Sequence, residues 1–325
     1  MAIARINEAR WRLIRERQWK DRWGQDYLPA IFATPKEAPG ISVPTILLPE
    51  KLGCREFHTL SQPETWFSIL ALHHPWLWEA HEQRILYPTP RAHYLFGHTR
   101  AVGQMFSSFA GTLDVADRLG MLSKHPKVRL KHGDDPAQWP MAPFPYIGDL
   151  LLFLEDEKGP YAVNCPVKDK YKNFRRRGPH PQGKPRKDVD DEGAIARQLL
   201  EKTYYDDPGI RTQPVAGEDI DVDLRCNLAD LFGDHALSID VNDDARWEIL
   251  ELYKTAVGAD VPAYVVACEA AARFNLTVRE ALALMRQFIW RRELRIDLFR
   301  PFLTDRPLLP EVEDVFQRYG HWFTR

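Results

Sequence analysis

The sequence predicts a mixed α/β sheet flanked by helices, followed by an α-rich C-terminal region. Three observations carry this expectation. The segment IGDLLLFLEDEKGPYAVNCPVKDK (147–170) reads as two apolar strands joined by a charged, Gly-containing turn. Helical stretches stand on either side of it, SQPETWFSILALHH (61–74) and DEGAIARQLLEKTYYDD (191–207). After residue 245 the rhythm changes to three successive amphipathic helices, at 245–257, 261–274 and 277–292.

In chain order, residues 5–23 are basic and Trp-containing and read as a helix, a solvated face or an arm for DNA or a partner. Residues 28–53 are Pro-rich and expected to be irregular, and CREFHTL (54–60) alternates like a strand. Ser61 opens the next helix. Its spacing to Glu64 is that of a capping box, which by itself accounts for a glutamate at that place. From 83 to 145 the pattern weakens; a helix is expected at TLDVADRLGML (112–122), and HGDDPAQWP (132–140) reads as exposed loop. The hairpin follows, then a basic Gly- and Pro-rich run, a helix at 191–207, and a short strand and turn near 209–223 before the helix LRCNLADLF (224–232). Residues 233–244 read as a linker. Thr277 and Glu280 form a second capping box, and LRIDLFRPFLTDRPLLP (294–310) reads as strand, turn and extended segment. Three helices closed by a small β-ribbon are the recipe of a winged helix.

At 325 residues the chain has room for two domains, and its net charge of −2 carries no global basic field, so a nucleic-acid surface must be local. The four cysteines (Cys54, Cys165, Cys226, Cys268) have no metal-ligand spacing and read as reduced thiols. No signal-peptide pattern and no apolar run of about 18 residues is present, so a cytoplasmic protein with no membrane association is expected. His73, His74 and His81 match no zinc spacing, and neither GxxxxGK[ST] nor GxGxxG occurs.

The candidate chemistry lies in the hairpin. Asp149 opens its first strand and Lys168 closes the second, places where an ordinary hairpin needs no charge. A carboxylate that holds a divalent cation, beside an ammonium that faces a phosphate, is half of a nuclease site. The Val167 carbonyl is a further candidate ligand. Mg²⁺ takes oxygen ligands and only one or two protein carboxylates, and Mn²⁺ can substitute. Glu64 is the expected second carboxylate, with Glu79 and Glu82 as competitors. The basic run after the hairpin, with Lys170, Lys172, Arg175, Arg176 and Arg177, is the expected DNA-backbone contact.

These patches together resemble TnsA, the endonuclease subunit of heteromeric Tn-seven-like transposases. The resemblance runs over roughly 54–310. It rests on the Ser61–Glu64 helix start, WEAHEQ (78–83), YIGDLLLF (146–153), VNCPVKDK (163–170), AGEDIDVDLRCNLADLF (216–232) and ALALMRQFIWRRELRIDL (281–298). It implies an N-terminal arm over 1–53, a restriction-endonuclease-like catalytic domain over 54–240 with an insertion at about 84–145, and a winged-helix domain over 241–325. It also implies metal-ligand roles for Glu64 and Asp149 and the catalytic-lysine role for Lys168. The implied activity is Mg²⁺-dependent cleavage of one DNA strand at transposon ends, beside an integrase-like transposase subunit and an AAA+ ATPase regulator, in a bacterial cytoplasm at the nucleoid. Pro166 departs from the pattern, since the family has an acid or glutamine two residues before the lysine. An edge or bulged strand is expected there, with Asn164 as a substitute polar group. The alternatives are a free-standing restriction-type nuclease and a non-catalytic DNA- or partner-binding module.

Overall fold

The computed structural model describes residues 6–40, 43–132, 135, 138–176 and 189–325. The chain packs as two compact units, 1–67 with 76–218 and 323–325, and 68–75 with 219–322. This division differs from the boundaries expected at 53/54 and 240/241. Ile14, Ala30 and Ile31 of the arm lie in the core of the first unit, and the helix at 222–234 belongs to the second.

In the first unit, α1 (Glu8–Gln18) starts at Asn7, whose side chain accepts from the Arg10 N–H at 2.8 Å. β1 (Thr45–Leu47) pairs antiparallel with β2 (Phe57–Thr59), so the Pro-rich stretch contains a strand. α2 (Gln62–His73) follows, with its first turns, to residue 67, in this unit and the rest in the second. β3 (Leu77–Glu82) precedes the region where the sequence pattern is weak, β4 (Ile85–Leu86), α3 (Thr112–Arg118), β5 (Lys127–Arg129) and β6 (Met141–Pro143) lie in it, and β7 (Tyr146–Ile147) follows it. The expected hairpin is β8 (Leu150–Asp156) and β9 (Gly159–Cys165), closed by Glu157 and Lys158 with Gly159 at φ 97°. β10 (Val167–Lys168), α4 (Glu192–Asp206), β11 (Arg211–Thr212) and β12 (Val215–Ala216) complete the unit.

The main sheet has the order β11-β9-β8-β3, with β8 antiparallel to β3 and β9, and β11 parallel to β9. Leu150 to Leu154 are buried without alternation, as a central strand covered on both faces requires. Leu151, Phe153 and Ala162 pack in one core with Tyr87, Tyr94, Phe109, Val115 and Phe144, and with Leu200, Tyr204 and Tyr205 of α4. Residues 84–145, expected as an insertion, therefore contribute much of the hydrophobic core. Outside α3, their apolar residues are interrupted by prolines and glycines and follow neither a helix nor a strand period.

In the second unit, α5 (Val222–Asp234), α6 (Asp243–Ala256), α7 (Ala263–Phe274) and α8 (Val278–Trp290) form a helical core, with the short α9 (Val315–Tyr319) after it. α5 packs on α8 inside this unit, so 233–244 is a short connection within it rather than an interdomain linker. The Thr277–Glu280 capping box starts α8. In place of the expected β-ribbon, 291–325 has isolated bridges, Ile296 with Pro310 and Pro262 with Pro307, among the described residues. Pro301, Pro307 and Pro310 remove the N–H donors that a ladder needs. Arg286 of α8 pairs with Asp230 and Asp234, and Arg292 pairs with Asp314, so these cations are neutralised within the unit. Among the described residues no helix is long and apolar enough to cross a membrane.

Candidate active site

Strand register gathers the site at one end of the main sheet. Leu150 lies opposite Glu82 on β3 and opposite Cys165 on β9. The residues just past those positions, Gln83, Asp149 and Pro166, therefore share that end. The Gln83 N–H donates to the Asp149 carbonyl at 2.9 Å.

Asp149 and Lys168 meet as expected, but along a different path. Pro166 ends β9, because it has no N–H to donate. The chain then leaves its antiparallel partner, and β10 pairs parallel with β12, Val167 opposite Val215. The Pro166 carbonyl still accepts from the Val215 N–H at 2.9 Å. Lys168 thus stands on a separate short strand rather than at the end of the hairpin. From there its Nζ donates to Asp149 Oδ2 at 2.9 Å and to the Val167 carbonyl at 2.7 Å. The Val167 N–H also donates to Asp149 Oδ2, at 2.9 Å. Burial works to raise the Asp149 carboxyl, but the Lys168 ammonium and these hydrogen bonds hold it below the ordinary carboxylate range.

Glu64 sits in the first turn of α2 and caps that helix. Its Oε2 accepts from the Leu60 N–H at 2.9 Å and its Oε1 from Ser61 Oγ at 2.9 Å, which is the helix cap. Held by that cap, the carboxylate lies near enough to Asp149 and Lys168 to feel both charges. Burial first, and then the neighbouring Asp149 carboxylate, push the Glu64 carboxyl up to about 7, against the pull of Lys168. Glu64 has no ion-pair partner among the described residues.

The competing glutamates are engaged elsewhere. Glu82 is fully buried and takes both Arg55 guanidinium nitrogens at 2.9 Å and the His58 N–H at 3.0 Å. Glu79 accepts from the Gly24 and Ala80 N–H groups and lies 3.8 Å from Arg55. Asn164, expected beside the lysine, instead donates to Glu201 Oε1 at 3.2 Å. Glu201, on α4, was not singled out from the sequence. Burial raises its carboxyl, Arg197 lowers it and Asp149 raises it, so Glu201 feels the site electrostatically. Gln83 closes the segment WEAHEQ, and its amide Nε2 donates to Glu64 Oε2 at 3.4 Å.

Of the expected DNA contacts, Lys170 and Lys172 are exposed beside the short 3₁₀ turn Tyr171–Arg175, and the Arg175 guanidinium pairs with Asp190 at 2.7 Å. Arg176 is half-buried, and Arg177 lies outside the described residues.

Among the described residues no group of three His, Cys, Asp or Glu side chains comes together to hold a metal ion. The donors that do converge are hard oxygens, and among the described residues the Lys168 ammonium is paired with Asp149 and also lowers the Glu64 carboxyl. That donor set suits a cation that needs few protein carboxylates and completes its shell with water and phosphate. No protein-family model and no curated protein matches the chain.

Proposed function

We propose that the chain is a Mg²⁺-dependent DNA endonuclease of TnsA type, with a restriction-endonuclease-like first unit and a winged-helix-like second, cutting one strand at transposon ends. The observation that carries this reading is the Asp149–Lys168–Val167 constellation, with Glu64 held beside it by its own helix cap. Asp149, Glu64 and the Val167 carbonyl would hold the divalent ion. When bound, that ion supplies Lewis acidity toward a phosphate oxygen and lowers the pKa of water.

The protein's own groups do the rest. Lys168 is mostly buried and anchored between Asp149 and the Val167 carbonyl, and its ammonium would stabilise charge building on the phosphate in the transition state. Lys170 and Lys172, exposed just beyond, suit backbone phosphates and position the strand without reading its sequence. An integrase-like subunit and an AAA+ ATPase are the partners this reading implies.

Pro166 favours one competing reading, a DNA- or partner-binding module that does not cut, because it removes the polar side chain two residues before the lysine. One experiment decides between them. Nicking of a supercoiled plasmid carrying transposon ends, with partner subunits added, should require Mg²⁺ or Mn²⁺. It should vanish in Asp149→Ala and Lys168→Ala proteins that keep the wild-type circular dichroism. Cleavage retained in both variants would sink the nuclease assignment.

A further inference from the structure

Two glutamines lie buried in the first unit near the end of β3, and they are treated very differently. Gln18 uses its whole amide: Nε2 reaches the Tyr27 hydroxyl at 2.9 Å and the Leu28 carbonyl at 3.0 Å, and Oε1 accepts from the Ile85 N–H at 2.8 Å. It is a fully satisfied structural side chain. Gln83 uses only its donor. Nε2 approaches Glu64 Oε2 at 3.4 Å, while Oε1 is buried and has no partner among the described residues. A buried carbonyl oxygen left unpaired is destabilising and is uncommon in a settled interior.

The backbone of Gln83 adds an independent observation. Its φ is +43°, left-handed for a residue with a full side chain. Such conformations persist where neighbours over-determine them, and they cluster at functional sites. Here the neighbours are plain: the Gln83 N–H donates to the Asp149 carbonyl at 2.9 Å, and its own carbonyl accepts from the Ala30 N–H at 3.2 Å. One residue therefore ties the main chain of Asp149 to the side chain of Glu64. Because the amide nitrogen is at Glu64, the unpaired oxygen on the same amide carbon is necessarily beside Glu64 as well.

We propose that Gln83 is a positioning residue of the site. It orients Glu64 through its amide nitrogen and offers its free oxygen, as a neutral acceptor, to the divalent cation's hydration shell. This gives the polar contribution that Pro166 cannot make from the lysine's own strand. The inference rests on the metal-dependent reading above, and its test separates the two.

Mn²⁺ binding to the full-length protein is titrated by calorimetry for the wild type, Gln83→Ala, Gln83→Gly and Asp149→Asn, with thermal melting of each. Outer-shell partners of a metal site typically carry a tenfold to hundredfold share of affinity. Mn²⁺ affinity should fall about tenfold in both Gln83 variants, and the Gln83→Gly melting temperature should not drop, because glycine accepts the left-handed backbone. That glycine variant keeps the test decisive even if Gln83→Ala folds poorly. Wild-type Mn²⁺ affinity in both Gln83 variants, with loss in Asp149→Asn, would overturn the role of Gln83 and leave the nuclease reading standing. Equal Mn²⁺ binding by wild type and Asp149→Asn, or none by either, would overturn the reading and this inference together.

Discussion

The first unit holds two clusters of carboxylates and cations, and they are built on opposite plans. At Arg55, a fork-shaped guanidinium takes both oxygens of Glu82, and backbone N–H groups from Gly24 and Ala80 hold Glu79. All of these side chains are almost wholly buried. Each carboxylate oxygen there has a donor, and what is left over is the buried Arg55 Nε, a donor that cannot hold a cation. At Asp149, one lysine serves a pair of carboxylates. Glu64 has only neutral donors, a glutamine oxygen has no partner, and the lysine is partly open to solvent. Saturated polar networks rigidify a core, whereas under-compensated ones are where chemistry is placed. The difference between the two clusters, more than any one residue, separates architecture from site.

The comparison can be broken most forcefully at its reactive side. Asp149→Ala and Lys168→Ala should each reduce metal-dependent nicking by at least about a hundredfold, as removal of transition-state charge stabilisation does. Lys168→Ala leaves the buried Asp149 carboxylate without its cation and should also lower the unfolding midpoint in urea, whereas Asp149→Ala leaves only a partly exposed ammonium and should lower it less. At the architectural side the ranking reverses. Arg55→Met strands the buried Glu82 carboxylate and should cost about 3–5 kcal/mol in urea unfolding, the range for an uncompensated buried charge. If Arg55→Met folds as well as wild type, the two clusters are not different in kind.

Glu64 sits between these extremes. Glu64→Ala loses a helix cap and should destabilise the protein by about 1 kcal/mol, while also weakening Mn²⁺ binding. Loss of stability without loss of metal affinity would assign Glu64 to the helix alone. The smallest effect is in pH. The folded carboxyl of Glu64 is raised from 4.5 to about 7, so the fold favours its protonated form. That contribution to stability is fully present below about 4.5 and is lost as pH rises through about 7. A melting-temperature series across this window should decline more steeply for wild type than for Glu64→Gln. Mn²⁺ affinity should rise over the same interval, because the cation favours the carboxylate.

How much of this was legible in the sequence follows from where each partner lies. The hairpin was readable because two apolar runs end in charges, and the adjacency of Asp149 and Lys168 follows from folding one run on the other. The detour through β10 was not readable. Pro166 announces a break, but the new partner, Val215, is supplied by a segment about fifty residues away. β3 was missed as a strand because WEAHE puts two buried glutamates and a buried histidine among its apolar residues. Their compensation comes from Arg55 and Gly24, far off in the sequence. The core formed by Tyr87, Tyr94 and Phe109 was equally hidden, since irregular backbone gives burial no period to display. Gln83 gave no signal at all: a glutamine at a strand end is ordinary until its φ and its unpaired oxygen are seen.

On the proposed function Glu64 would serve both a helix cap and the chemistry, and this has an evolutionary consequence. A descendant that lost such an activity would still need an acid at that helix start, so selection for folding would preserve Glu64 long after selection for chemistry had ceased. Asp149 and Lys168 answer chiefly to each other, and once idle they could drift away as a pair. In related sequences, a glutamate at the position of Glu64 therefore says little about whether a protein is active. The joint retention or joint loss of Asp149 and Lys168 is the character that would separate working nucleases from relics.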